Sequence, residues 1–396
     1  MRQYFLLITI GLLLSVSLHA QDKTMQQAVD GNNAFCFDWM RESYQKNENQ
    51  IFSPQSISIA LSMAYDGAKW RTKWEMAKVM HFQRNDNDNH EAWIEYINYF
   101  EQIKTPLFYS ANAAWVQKDF HFLPEYLKAI EAYKANVKAV DFKNTLRRED
   151  ARRQMNAWVE NKTRRKIKQL IRKGDVDDQT RLVLINAIYF DAKWKQEFPE
   201  KMTKKRPFNG DESKACEFMH NEGEYAWMQT ELYSAIELPY QSDLSSMYVI
   251  LPNADADIAM ILNEFDGETF EKICQSMEKE KLRIGIPKFN LSSRTQMKKQ
   301  LMKMGMERAF TMNANFKGMN GKRNLMIDEV IHQAVIDVNE AGTEASAATA
   351  VVVREKQQKA APEFIADRPF IFVIKENKLG SILFAGVLEN PLVLSK

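Results

Sequence analysis

The chain has 396 residues, 45% hydrophobic and 27% charged, enough apolar material for a large buried core. Lys and Arg number 54 against 52 Asp and Glu, and a formal charge of +2 gives no reason to expect nucleic acid or another polyanion as partner. Three cysteines, Cys36, Cys216 and Cys274, are too few for a disulfide framework and form no CxxC pair, so the fold has to rest on its core.

Arg2 opens a run, Phe5 to Leu18, that is apolar apart from scattered Thr, Gly and Ser, and Leu18-His19-Ala20 precedes the polar Gln21-Asp22-Lys23. This predicts a cleaved export signal over residues 1–20, with a mature chain from Gln21 delivered outside the cell or to a periplasm. A lone N-terminal anchor is the alternative reading. No later run approaches the ~18 apolar residues of a spanning helix, so no membrane span is expected. Without internal repeats or a Pro/Gly/Ser linker, residues 21–396 read as one domain.

Helical periodicity dominates the first part. It predicts helices over Ala28 to Tyr44, Ser56 to Tyr65 after the turn-like Ser53-Pro54, Glu91 to Ile103, Pro124 to Tyr133, and a long one over Arg152 to Ile171. The basic clusters Arg147-Arg148, Arg152-Arg153 and Arg164-Arg165-Lys166 read as solvated helix surface. Strand character takes over at Leu182 to Phe190, an apolar run suited to a strand covered on both faces. Ala235 to Leu238, Ser246 to Leu251, Leu282 to Ile286, Val330 to Asn339, Phe370 to Lys375 and Ser381 to Leu388 continue it. Helices early and strands late predict an α+β fold.

A catalytic site does not emerge. GxSxG, HExxH and P-loop motifs are absent, and His81, His90, His121, His220 and His332 lie at no metal-ligand spacing. No metal and no cofactor is expected. His332 falls where strand alternation points it inward, which reads as a satisfied core histidine.

One stretch stands out. Glu340 to Val353 is rich in small and β-branched residues, lacks Pro, and carries one charge after Thr343. Alternate residues Thr343, Ala345, Ala347, Thr349 and Val351 share one compact, uncharged face that a sheet could bury, and Glu344, Ser346, Ala348 and Ala350 share the other. An Ala-rich linker or an ordinary helix suits the same composition.

These residues resemble the hinge of an inhibitory serpin. Further blocks, from roughly residue 28 to the C-terminus, are similar to that family in order. They are Ser53-Pro54 with Ser56; Asn112 with Val116-Gln117-Lys118; Asn186 to Phe190 with Trp194, Phe198, Thr203 and Phe208; Pro287-Lys288-Phe289; and Arg368-Pro369-Phe370 through Asn390-Pro391. Asp191-Ala192 stands where Lys-Gly is common in the family.

The resemblance implies helices packed on three β-sheets with an exposed reactive-centre loop, the hinge and loop spanning 340–366. It implies a monomeric inhibitor, not an enzyme, cut once by a target protease and trapping the acyl-enzyme by inserting its cleaved arm into the main sheet. Glu340, Gly342, Thr343, Ala345, Ala347 and Thr349 would form the hinge, Ser53, Ser56, Asn186 and His332 the polar cluster that controls sheet opening, and Trp194 and Lys288 the breach beside Glu340. Counted from Gly342 as in such inhibitors, the scissile bond follows Lys356, with Gln357 next and Arg354 or Lys359 as fallbacks. A Lys there implies a trypsin-like target, while Val351 to Val353 would suit an elastase-like enzyme and cysteine proteases stay open. A non-inhibitory carrier or chaperone of the same family is the other reading.

Overall fold

The computed structural model describes residues 24–103, 108–211, 213–343 and 361–392. Local chemistry starts its helices as the sequence suggests. Ser53 caps the helix Pro54–Gly67, its hydroxyl accepting from the Ser56 amide at 3.2 Å, and Pro54 occupies the first turn where a missing N–H costs nothing. Asn144, Asp257 and Asp266 cap three further helices, Thr145–Lys162, Ile258–Glu264 and Gly267–Ser276.

The described strands form sheets of nine, four and three strands. The nine-stranded sheet holds Phe370–Glu376, Ile382–Leu388 and Ser245–Pro252, in which every residue is buried. The three-stranded sheet runs Asn136–Val140, Phe108–Gln117, Leu182–Phe190, and the four-stranded one Phe289–Gln296, Ile331–Asn339, Gly342–Thr343, Ala192–Lys193. Only Asp191 separates Leu182–Phe190 from Ala192–Lys193, so one chain run links the two smaller sheets. Among the described residues no ladder joins Leu182–Phe190 to Ile331–Asn339, although the two strands lie side by side.

Several expectations need correction. The helix expected over Arg152 to Ile171 spans Thr145–Lys162 instead. It ends because Thr163 turns its hydroxyl back onto the Val159 carbonyl (2.8 Å) and Arg164 and Arg165 take left-handed backbone, φ +47° and +65°. Asn156 then clamps Ile171 through both amide atoms, at 2.8 and 2.9 Å, folding the segment against the helix. Ile167 and Leu170 are thereby buried in the same cluster as Met155 and Val159, which imitates a continuing helical stripe. Leu182 to Leu184 are half-buried rather than covered on both faces. Helices and strands also interleave: Phe108–Gln117 and Asn136–Val140 come early, and Gly267–Ser276 and Lys298–Met304 come late. Cys36, Cys216 and Cys274 are free thiols, so packing and hydrogen bonds hold the fold without disulfides.

Candidate functional site: the parted sheet and its hinge

Gly342–Thr343 is a two-residue strand wedged between two neighbours. It pairs antiparallel with Val338 and Asn339 on one side and with Ala192 and Lys193 on the other. Glycine at 342 is required by close approach, since a Cβ there would sit 2.2 Å from the Ala192 carbonyl oxygen. Thr343 is fully buried, and its hydroxyl shares a 2.7 Å hydrogen bond with Tyr240. The Trp194 ring stacks on Tyr240 at 4.6 Å, and its indole N–H donates to the Asn339 carbonyl at 2.9 Å. The Trp194 amide donates to the Ala341 carbonyl and the Phe198 amide to that of Glu340, so backbone and side chains both grip the hinge.

Glu340 anchors the base of this strand. One carboxylate oxygen accepts from Thr203 Oγ1 at 2.8 Å, the other meets Lys288 Nζ at 3.1 Å, and Lys288 also reaches Glu217 at 3.4 Å. Burial opposes the charge, yet the Thr203 hydroxyl, a backbone amide and the Lys288 ammonium together hold the carboxyl below its usual range. Lys288 is likewise partly desolvated, and Glu340 and Glu217 outweigh that and raise it.

Further down the same gap lies a polar cluster. His332 Nε2 accepts from the Ser53 amide at 3.0 Å, and the Ser56 hydroxyl donates to Asn186 Oδ1. Asn186 in turn donates to Asn112 Oδ1, and Asn112 donates to the Tyr133 carbonyl at 2.8 Å. Tyr133 closes the chain, its hydroxyl donating to Asp66 at 3.0 Å, where His90 also binds at 2.6 Å. The cluster thus ties the helix Pro54–Gly67 to strands on both sides of the parting. All four residues read from sequence as one polar cluster meet here, and Trp194, Lys288 and Glu340 meet at the upper end. Asn112, Thr203 and Tyr240 are additional members. Ala345, Ala347, Thr349, Arg354, Lys356, Gln357 and Lys359 lie outside the described residues.

Burial pushes His332 down to about 3, so the imidazole is neutral and its Nε2 lone pair is free to accept. A histidine depressed when folded binds fewer protons than the unfolded chain between about pH 3 and 6.5, so stability falls as pH drops through that window. His332→Gln is expected to remove part of the acid sensitivity of unfolding between pH 4 and 6.5, by up to ~1.4 kcal/mol per pH unit. Denaturant titrations of both proteins check this, and parallel pH profiles would refute it.

A sheet parted along one line, with a short strand entering at one end and a hydrogen-bonded clasp lower down, defines the class of protein. The family model described as Serpin (serine protease inhibitor) matches residues 30–391, and the chain belongs to that family. It is 35% identical, over 94% of its length and 87% of the relative's, to an uncharacterized serpin-like protein of Thermococcus kodakarensis. With the leukocyte elastase inhibitor of Bos taurus it shares 34% identity, covering 93% of this chain and all of that one. Uncleaved ovalbumin matches with a TM-score of 0.81 at 28% identity, covering 92% of this chain and 100% of ovalbumin. Human thyroxine-binding globulin with thyroxine bound matches at 0.82 and 26% identity, covering 93% and 99%. The family consists of protease inhibitors and related proteins rather than enzymes. Among the described residues no group of His, Cys, Asp or Glu could hold a metal, and no helix is long and apolar enough to cross a membrane.

Proposed function

We propose that this protein is an exported, monomeric suicide inhibitor of a trypsin-like protease, with residues 1–20 removed and residues 21–396 forming one serpin domain. A protease attacks the bond after Lys356, forms the acyl-enzyme, and is carried away as the freed arm, 340–356, enters the parting as a new strand. Serpin loop insertion is itself a standing example of recognition by strand addition.

The observation that carries this reading is the register of Gly342–Thr343. Continued from Val338↔Thr343, it brings Ala345 opposite Ile336, Ala347 opposite Ala334 and Thr349 opposite His332, all buried positions. Continued from Ala192↔Thr343, it brings Thr349 level with Asn186. Small uncharged residues therefore meet the buried face, and a threonine hydroxyl meets the polar cluster. A carrier would have no need for such a face, so this pattern favours trapping over the ovalbumin-like or hormone-binding alternatives.

Lys356 sets the target because an acidic specificity pocket complements its ammonium. Lys356→Ala is expected to lower the rate of trypsin inhibition at least ~100-fold, about 2.7 kcal/mol of transition-state binding. Incubation with trypsin, followed by denaturing electrophoresis and intact mass, reads the outcome. It should give an SDS-stable complex, a chain starting at Gln21 and a cut after Lys356. Clean cleavage without a complex would favour the carrier reading. A second reading, an elastase-like target cutting near Val353, is favoured by the Val351 to Val353 run and by similarity to the leukocyte elastase inhibitor. A cut after Val353 in the same mass spectrum would select it.

A further inference from the structure

The helix Trp70–Met80 presents large apolar side chains that the core does not bury, with the Lys78 ammonium 5.7 Å from the centre of the Trp74 ring. Trp70 is 84% exposed, Trp74 51% and Met312 87%. Trp70 sits at φ +56°, a left-handed conformation that a bulky residue rarely adopts and that persists only where the surroundings impose it. The surroundings are visible. On its N-terminal side the Lys69 amide donates to the Asn315 carbonyl at 2.8 Å, and the Asn315 amide donates to Thr72 Oγ1 at 3.0 Å. Arg308 meets Glu75 through its backbone amide at 2.7 Å and its guanidinium at 3.1 Å. The segment 308–315 is thus pinned against the helix, and it brings Met312 with it.

The same segment marks one end of the parted sheet. The Ile327 amide donates to the Ala309 carbonyl at 2.8 Å, so residues 325–327 lie beside it just before the strand Ile331–Asn339 begins. Met326 there is 43% exposed. Continuing the register of Val338↔Thr343 brings Ala350 opposite Ile331, the first residue of that strand, and leaves Lys356 six residues past it, at the end of the sheet where residues 325–327 lie. From Thr343 that path covers roughly 45 Å at ~3.4 Å per residue. A protease acylated at Lys356 would therefore come to rest at the end of the sheet that holds Met326 and the segment 308–315, which is tied in turn to the start of the helix Trp70–Met80.

We infer that Trp70, Trp74 and Met312 form a docking surface for the translocated protease, holding it after its active site has been pulled apart. This rests on the trapping reading proposed above. A protease stretched by its acyl bond loses packing around that site and exposes apolar side chains, and two indoles with a methionine offer broad, adaptable contact for them. The surface makes no contact with the protease before cleavage. It acts on the lifetime of the complex and leaves its formation unaffected.

The test compares wild type with the triple variant Trp70→Ala, Trp74→Ala, Met312→Ala, using the full chain and trypsin. The expected result is an unchanged association rate and cut site, with active trypsin released from the purified complex at least ~10-fold faster. Melting of the two uncleaved proteins controls for folding, and Trp74→Phe alone should retain most of the lifetime. Equal release rates from complexes that form normally would overturn the docking surface and leave trapping intact. A wild type that forms no covalent complex would overturn trapping, and this inference with it. Trp70-dependent binding of the uncleaved protein to anionic phospholipid vesicles, with equal release rates, would reassign the surface to a membrane.

Discussion

Cutting the chain once between Arg354 and Lys359 is expected to raise its melting temperature by about 10 °C or more. The physical source is the unfinished sheet. Gly342–Thr343 bonds to both neighbours at the top, and among the described residues no ladder continues between Leu182–Phe190 and Ile331–Asn339 below it. Severing the loop frees its N-terminal part to extend that strand, completing ladders on both sides at ~0.5–1.5 kcal/mol net per hydrogen bond. Ordering the arm opposes this at roughly 1–2 kcal/mol per residue, so the surplus has to come from burial of its compact face and from strain released in the parted sheet. A surplus of ~8 kcal/mol moves the midpoint of a chain this size by about 10 °C, because unfolding entropy scales as ~2 cal/mol/K per residue. Calorimetry on intact and nicked protein decides the matter. Equal midpoints would mean that the severed arm does not enter the sheet, and the trapping reading would fail.

Much of this architecture is legible before any coordinates, for definable reasons. Ser53-Pro54 announces a helix start because capping and proline placement act within one turn, and the structure puts both in those roles. Leu182 to Phe190 and Phe370 onward read as strands because continuous apolar runs of that length have few other uses. Ser213–Gln229 escapes notice because it alternates poorly: exposed Lys214, Glu217, Glu222 and Glu224 interrupt it, and its order comes from pairing with Glu278–Pro287. The Arg152 to Ile171 error has a different cause, since a chain that folds back on its own helix repeats the apolar spacing of a continuous one.

The site divides along similar lines. His332, Ser53, Ser56 and Asn186 come from family resemblance, and alternation along Ile331–Asn339 independently points His332 inward. Asn112 could have been found: it is the one amide among Ala111, Ala113 and Ala114, opposite Asn186, whose own neighbours are apolar. Thr203 stands in a block similar to the family but nothing in the sequence gives it a partner, and Tyr240 carries no signal. Thr203 reaches Glu340 across 137 positions and Tyr240 reaches Thr343 across 103, contacts that only tertiary packing creates.

Thr349→Arg is expected to convert the inhibitor into a substrate. The register set by Val338↔Thr343 and Ala192↔Thr343 places residue 349 between His332 and Asn186 once the arm inserts. His332 is 5% exposed and held neutral by burial, and its neighbours in the clasp are hydroxyls and amides; the carboxylate at the far end of the chain, Asp66, lies beyond Asn112 and Tyr133 and is already engaged by Tyr133 and His90. A guanidinium forced into that position is a buried charge without a counter-ion, a penalty of several kcal/mol. Insertion would stall there, the acyl bond would hydrolyse, and the protease would leave active. The inhibitor consumed per protease inactivated should rise more than ~10-fold, with the cut still after Lys356 and the cleavage rate unchanged. Ser346→Lys, on the opposite face of the arm, should alter the ratio far less. Should both variants trap with equal efficiency, the two faces of the arm are not distinguished by the sheet, and the pairing register extended from Gly342–Thr343 is wrong.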